Sequence, residues 1–289
     1  MQIILSLILV HLIADFYLQT DDMVKEKLKN IKKHIIHHFL STAFVLISFC
    51  FFHVDKVNIL VNLISPLFFI SITHFLIDLL KSKLLDTIKI KNEENMKRLG
   101  FFILDQCLHF GMILVCCQLF LGIKLQSLDS GTHLSHASLN SFESILFIII
   151  IVILATSVSG HMIRILLGSL PNQILTFEGK YAFKNERKED HFVDKNLGKR
   201  GLTEEYNYTI FSKHDLSRGK LIGYIERLLV LILTFYNAYP AIGFIVAAKS
   251  IARFKQMDDR DWAEYFLLGT LTSMFLGITL GILLKAVLA

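Results

Sequence analysis

Long apolar stretches are the feature that most constrains this fold. Several runs approach the ~20 residues that an α-helix needs to cross a bilayer. Hydrophobic residues make up 53% of the 289, and the chain has only three prolines. This pattern excludes an ordinary soluble domain. We therefore predict an all-α fold, that of a polytopic helical transmembrane protein.

The apolar runs predict seven or eight transmembrane spans. The count depends on the seventh span, which is short, begins at Pro240 and is compatible with a tilted, re-entrant or interfacial helix. The predicted spans are residues 2–18, 35–53, 59–80, 100–123, 143–168, 220–238, 240–254 and 264–287.

The distribution of lysine and arginine predicts the orientation of these spans. The connections after the first and third spans are basic, and so is the long segment 169–219. The intervening connections carry little positive charge, with Lys56 in one and Lys124 in the other. We therefore expect the N-terminus outside and the basic connections in the cytoplasm, in a multi-pass protein of the cytoplasmic (inner) membrane.

The chain divides into four parts by composition. The third part is densely charged with both signs and poor in large aliphatic residues, which predicts a flexible loop or one that needs a cytoplasmic protein partner. Its basic stretches suit membrane lipid headgroups, and its mixed charge argues against a nucleic-acid surface. The parts are a four-helix membrane unit (1–124), an outer loop with the fifth span (125–168), the charged cytoplasmic insert (169–219) and a C-terminal membrane unit (220–289).

Histidine and aspartate recur at spacing i, i+4 inside the predicted spans, so each pair lies on one helical face. The order of the two residues reverses in the fourth span, which runs in the opposite direction to the first and third. All pairs therefore place histidine deeper in the membrane and aspartate nearer the cytoplasm, at the inner leaflet. The pairs are His11/Asp15, His74/Asp78 and Asp105/His109, and "KKHIIHHFL" adds His37 or His38 at a similar depth.

A divalent cation explains why ionisable residues occupy these spans. An aspartate at mid-bilayer costs roughly 2.5–3.5 kcal/mol, and a bound cation offsets that cost. Imidazole and carboxylate suit zinc, manganese or ferrous iron. One metal, or two metals sharing a carboxylate, are both compatible with the pattern. The predicted ligands are His11, Asp15, His38, His74, Asp78, Asp105 and His109.

Neighbouring polar residues receive supporting roles in this interpretation. Gln19 and Gln106 are expected to hydrogen-bond the ligands. Lys81 is placed to meet an anionic headgroup or a developing negative charge. The three aspartates and Lys81 are the candidate catalytic residues. The alternative is that the same side chains only hold helices together by hydrogen bonds.

A second set of polar residues lies towards the C-terminus. It fits either the binding of an anionic substrate or partner, or ordinary charges at the membrane interface. The set comprises His161, Arg164, Glu226, Arg227, Lys249, Arg253 and Glu264.

The segments "HLIADFYLQTDDMVKEK", "HFLIDLLK", "LDQCLHF" and, near the end, "GYIERLL" and "DRDWAEYFLLGTLTS" together resemble a bacterial integral-membrane family, domain of unknown function 3307. That resemblance implies a membrane protein but no activity. The first four spans are more loosely similar to inner-membrane metal-dependent, phospholipase-like hydrolases, which raises the expectation of hydrolysis by analogy.

The sequence leaves three functions open. The leading hypothesis is a metal-dependent hydrolase that cleaves an ester or phosphoester of a lipid or lipid-linked substrate, with a spare aspartate as general base. The second is an ion- or proton-coupled transporter, although the residues cluster at one depth instead of forming a ladder. The third is a non-catalytic scaffold that recruits a cytoplasmic partner through the insert.

Overall fold

The computed structural model is helical throughout the part of the chain it describes, which confirms the predicted all-α class. Short π-helical and 3-10 segments interrupt or extend the α-helices. The described residues are 1–20, 23, 27–52, 58–88, 94–123, 139–168, 213–258 and 260–289.

The helices follow one another in the order of the predicted spans. Three of them contain a π-helical segment, and a 3-10 turn, Phe254–Asp258, precedes the last. The helices are α1 (Gln2–Ile13, extended by a π-segment to Leu18), α2 (Lys27–Phe52), α3 (Ser65–Ile88, preceded by a π-segment from Leu60), α4 (Asn95–Phe120), α5 (Ser141–Leu167, with a π-segment at Leu154–Val158), α6 (Lys213–Phe235), α7 (Tyr239–Ala252) and α8 (Arg260–Leu288).

Five of the described helices are long and apolar enough to cross a membrane, and two shorter ones are also apolar. Large apolar side chains such as Phe44, Phe51 and Phe275 are exposed on the outside of the bundle, where acyl chains would cover them. Together these features indicate a membrane protein. The five segments are Lys29–Phe52, Leu60–Leu85, Asn95–Phe120, Ser141–Leu167 and Trp262–Leu288; the shorter ones are Gln2–Leu18 and Tyr239–Ala252.

Several helices extend beyond the predicted spans. The second begins at Lys27 instead of 35, and the third ends at Ile88 instead of 80. The sixth begins at Lys213, inside the segment predicted to be an insert. A hydropathy criterion marks only the lipid-facing part of a helix, whereas the backbone hydrogen bonds continue through polar residues. The rest of the insert, 169–212, lies outside the described residues.

The longer helices place two of the predicted polar pairs further from helix ends than the predicted spans did. His74 sits near the middle of the apolar segment Leu60–Leu85, and His109 near the middle of Asn95–Phe120. The sequence placed both close to span ends, because it ended the third span early and began the fourth late. The polar residues therefore lie well inside the helices.

One apolar core holds helices α1, α2, α3 and α4 together, and another joins α6, α7 and α8. Leu7, Leu46 and Ile113 are among the buried residues of the first core, and Val230, Ile242 and Met274 form the second. These cores fix the positions of the helices that carry the buried polar side chains.

Candidate metal centre

Five histidines from four helices gather in one buried cluster. No member is more than 5% exposed. The centroids of neighbouring rings lie between 3.7 Å (His38 to His74) and 5.4 Å (His11 to His74) apart. Neutral imidazole is the form of histidine that binds metals, so a cluster of rings this close offers several nitrogen ligands to one small volume. The members are His11 on α1, His34 and His38 on α2, His74 on α3 and His109 on α4.

Two carboxylates enter the same cluster. Asp15 Oδ1 is 2.9 Å from His38 Nε2 and 3.4 Å from His34 Nε2. Asp78 Oδ2 is 3.4 Å from His34 Nε2 and 3.7 Å from His74 Nε2. Asp78 is 1% exposed, and the Asp15 side chain 11%. The carboxylates therefore face imidazole nitrogens within the membrane helices.

Donor atoms surround His34 Nε2 at separations close to those between ligands in a metal coordination shell. His34 Nε2 lies 3.2 Å from His74 Nε2 and 3.4 Å from both Asp15 Oδ1 and Asp78 Oδ2. In a tetrahedral zinc site with bonds of about 2.0–2.1 Å, neighbouring ligand atoms lie about 3.3–3.4 Å apart. Most of these contacts are too long to be good hydrogen bonds. The residues present therefore fit a divalent metal ion.

Two further side chains brace Asp15. His38 Nε2 donates to Asp15 Oδ1 at 2.9 Å, and Gln106 Nε2 donates to Asp15 Oδ2 at 3.0 Å. Hydrogen bonds of this kind orient a carboxylate ligand and tune its basicity. The structure therefore places Gln106 where the sequence analysis expected a supporting amide. Gln19 lies at the end of the π-segment that carries Asp15 and is half-buried.

His109 and His11 present free ring nitrogens to the same space. His109 Nδ1 donates to the carbonyl oxygen of Asp105 at 2.8 Å, so Nε2 of the neutral ring carries a lone pair. Neither His109 Nε2 nor His11 Nε2 makes a hydrogen bond to any of the described residues. Ligand atoms of His74, Asp78 and His109 all lie within 4.8 Å of one another. The cluster thus offers a second group of donors beside the first.

Asp105 and Lys81 form a separate ion pair at the edge of the cluster. Lys81 Nζ lies 2.6 Å from Asp105 Oδ2. The other carboxylate oxygen, Oδ1, is 3.8 Å from His109 Nδ1. From the sequence, Asp105 was predicted to be a metal ligand, and Lys81 was expected to meet an anionic headgroup or a developing negative charge. The structure turns the two towards each other, since α3 and α4 pack side by side.

His34 is the residue that sequence reasoning missed. It lies ahead of the predicted second span, yet it contacts His74, Asp15 and Asp78 at 3.2–3.4 Å. Its spacing of four from His38 was the available signal, because it repeats the pattern of the other three helices. His37, the alternative to His38 in the prediction, is only partly buried.

Three of the C-terminal polar residues form direct hydrogen bonds or ion pairs and do not converge on a common point. Arg227, 4% exposed, donates to the carbonyl oxygens of Ala155 (2.5 Å) and Thr156 (3.2 Å) in the π-segment of α5. Lys249 Nζ contacts both carboxylate oxygens of Glu226, at 2.6 and 2.9 Å. A π-segment shifts the backbone hydrogen-bond register and leaves carbonyl groups that need donors. Arg227 supplies those donors.

The remaining members of that C-terminal set lie apart. His161 packs against Phe102, with ring centroids 4.9 Å apart. Arg253 lies over the Trp262 ring at 5.2 Å, and Glu264 pairs with Arg260 at 2.9 Å on the surface. Arg164 is exposed. The structure does not gather these residues into one site.

Comparison with known proteins identifies one domain. Residues 3–138 match the family described as Protein of unknown function (DUF3307). The match contains every residue of the histidine cluster, whereas the C-terminal segments that resembled this family lie outside it. No curated protein and no solved structure matches. The looser similarity to metal-dependent hydrolases remains a prediction.

Proposed function

We propose that this chain, whose residues 3–138 carry the DUF3307 domain, is a metalloenzyme of the inner membrane. It would hold zinc, manganese or ferrous iron among α1, α2 and α3 and hydrolyse an ester or phosphoester of a lipid or lipid-linked substrate. The observation that carries the proposal is the grouping of ligand atoms: those of Asp15, His34, His38 and His74 all lie within 4.8 Å of one another, and so do those of His74, Asp78 and His109.

Charge supports the same assignment. Lys81 neutralises Asp105, whereas Asp15 and Asp78 face imidazoles. Two ionised carboxylates with neutral imidazoles carry the net charge that a divalent cation balances. A bound cation would also offset the cost of burying carboxylates in a membrane helix.

The chemistry follows from the properties of such an ion. A divalent metal, if held by these histidines and aspartates, would polarise an ester or phosphoester oxygen and lower the pKa of water towards neutrality. Water adds to the carbonyl carbon or phosphorus, the bond to the leaving oxygen breaks, and the water proton passes to that oxygen. We assign the transfer of this proton to Asp105, and the stabilisation of developing negative charge to its partner Lys81.

The first test measures metal in a matched pair of variants. Protein purified in lipid nanodiscs is loaded separately with zinc, manganese or ferrous iron, dialysed, and analysed by elemental mass spectrometry. His34→Gln removes a donor from the centre of the cluster, whereas His37→Gln changes an imidazole on the same helix outside it. We expect stoichiometric metal in the wild type and His37→Gln, and loss of at least nine-tenths in His34→Gln, roughly a tenfold or larger fall in affinity.

Helical content and elution from a sizing column show whether each variant folds. Equal metal in the two variants would contradict the proposed ligand set. No metal in the wild type after loading with each of the ions would remove the metal centre altogether. Hydrolysis is then tested by measuring the release of fatty acid or of a phosphate-bearing headgroup from nanodisc lipids. We expect release only with metal-loaded protein. Ion flux in liposomes without such release would favour a transporter.

A further inference from the structure

We infer that the histidine cluster binds a second divalent cation, held on its α3–α4 side by His74, Asp78 and His109 beside the ion of the proposed function. The inference rests on that proposed function and deepens it. A pair of adjacent ions stabilises both the attacking and the leaving oxygen when a phosphoester is displaced, whereas one ion stabilises only part of that charge.

The ligand atoms for a second ion come from a different pair of helices. Those of His74, Asp78 and His109 all lie within 4.8 Å of one another, with two of the residues on α3 and one on α4. Asp15 and His34, which belong to the first group, lie on α1 and α2. Three protein ligands leave a coordination position open for water or substrate, as in catalytic metal sites.

A buried ring nitrogen of this group is left without a partner. His109 is 3% exposed, and its Nδ1 donates to the carbonyl oxygen of Asp105 at 2.8 Å, so Nε2 of the neutral ring is an acceptor. No hydrogen bond from the described residues reaches that Nε2, and the same is true of Nε2 in His11, which is 5% exposed. A buried acceptor without a partner is costly. A cation bound to His109 Nε2 removes that cost.

The space beside these rings has the size of a single ion or water molecule. It measures about 10 Å³, and His11, His74 and His109 line its polar side. Ile77 and Met112 are among the apolar residues on the other side. A space of this size accepts one water-sized particle and excludes a larger ligand. There is therefore room next to His74 and His109 for an ion, or for one water on that ion.

Asp78 connects the two groups of ligands. Its Oδ2 lies 3.4 Å from His34 Nε2 and 3.7 Å from His74 Nε2. A carboxylate has two oxygens, so Asp78 can bind one ion with each. Ions that share a ligand in two-metal sites lie about 3.5–4 Å apart. His74 occurs in both groups, and we assign it to the second ion because Asp15, His34 and His38 remain for the first.

The second ion is expected to bind more weakly than the first. The first ion already neutralises the charge of the two carboxylates, and two cations a few ångströms apart repel each other. We expect the second dissociation constant to be at least about tenfold higher. Dialysis against metal-free buffer then leaves one ion per chain, and the second appears only when free metal is present.

Equilibrium dialysis with Mn²⁺ tests the stoichiometry. The protein is held in phosphatidylcholine nanodiscs, and Mn²⁺ bound by empty nanodiscs is subtracted. His109→Gln removes a ligand that belongs to the second group alone, whereas His161→Gln changes an imidazole of α5 outside the cluster. We expect two ions per chain at saturation in the wild type and in His161→Gln, and one ion in His109→Gln. Helical content and elution from a sizing column show whether each variant folds.

Electron paramagnetic resonance of the same wild-type samples tests whether the two ions are neighbours. Two Mn²⁺ ions that share a carboxylate are magnetically coupled, whereas isolated ions each give a separate six-line spectrum. We expect coupling to appear as the second ion binds. This measurement needs no variant, so it decides the question if His109→Gln does not fold. Two ions with uncoupled spectra would overturn the inference, because the second ion would then lie elsewhere.

The number of bound ions separates this inference from the proposed function. One ion per chain in the wild type at saturation overturns the second site and leaves the first metal centre standing, with a water molecule in the space beside it. No bound ion overturns both. Two ions in His109→Gln as well as in His161→Gln overturn the ligand set assigned to the second ion.

Discussion

The N-terminal and C-terminal helices of this chain accommodate buried charged side chains in different ways. Both bury charged side chains between helices. In the C-terminal helices two cations meet acceptors: Arg227 meets backbone carbonyls and Lys249 meets Glu226. In the N-terminal helices, metal-ligating atoms of His34, His74 and Asp78 converge at separations of 3.2–3.7 Å.

That difference distinguishes a structural polar cluster from a candidate binding site. A satisfied pair inside a membrane helix holds elements together and leaves no capacity for a ligand. Lone pairs that converge on one point need an additional positive species. The sequence marked both regions as polar residues in apolar helices, and only the balance of donors and acceptors separates them.

The largest expected effect is the loss of metal when one carboxylate is neutralised. Asp78→Asn keeps the shape of the side chain but removes the charge and one donor. We expect metal affinity to fall at least about 100-fold, beyond the effect of changing a residue that only orients a ligand. Titration calorimetry in nanodiscs measures the affinity. Thermal unfolding of metal-free protein should be similar in variant and wild type; an unchanged affinity would contradict the ligand assignment.

The next largest effect is a loss of stability when Arg227, which lies outside the histidine cluster, is replaced. Arg227→Met leaves the carbonyl groups of Ala155 and Thr156 without their side-chain donor. We expect a loss of about 2–3 kcal/mol in the free energy of unfolding, with metal content per folded chain unchanged. Arg164→Met, at an exposed position on α5, is the control and should change stability by less than about 0.5 kcal/mol. Equal losses in both variants would remove the proposed structural role of Arg227.

A smaller effect is expected at the amide that braces Asp15. Gln106→Leu removes the hydrogen bond to Asp15 Oδ2 and retains side-chain volume. Metal affinity should fall about 10- to 100-fold, the range typical of residues that orient ligands. Gln106→Glu changes the same position but keeps an oxygen, which repels the carboxylate, and should weaken binding further. Wild-type affinity in both variants would show that Asp15 is positioned without this amide.

The smallest effect concerns helix packing far from the metal. A Cβ atom at Gly281 of α8 would lie 2.7 Å from Thr234 Cβ on α6, so Gly281→Ala forces the two helices apart. We expect a loss of about 1 kcal/mol in unfolding free energy and no change in metal content. Gly243→Ala is the matched control, because a Cβ there would contact no other described atom within 4 Å. Destabilisation of both variants alike would indicate a backbone effect and not a packing effect.

The sequence predicted the features that depend on local patterns. Hydropathy located the helices and the i, i+4 spacing put histidine and aspartate on common faces, since both depend on neighbouring residues alone. The pairing of Lys81 with Asp105 depends on how α3 and α4 rotate against each other, which no local pattern contains. His34 was missed because polar residues surround it, so the apolar window began after it.

The C-terminal contacts were also beyond the sequence. Arg227 reaches carbonyl groups that are available only because α5 changes to a π-helical register at Leu154–Val158. Nothing in the residue types of that segment predicts the change of register. The sequence therefore marked Arg227 as a polar residue and suggested an anionic substrate as its partner. In the structure its partners are the backbone carbonyl groups of Ala155 and Thr156.

The distribution of the cluster along the chain has a consequence for biogenesis. His11 lies on the first helix and His109 on the fourth, so the cluster is complete only after most of the matched domain has left the ribosome. Synthesis adds about 5–20 residues per second, so α1 waits on the order of 5–20 s in the membrane with His11 and Asp15 not yet covered by α4. The first helices must therefore remain inserted with these polar side chains uncovered until α4 has been inserted.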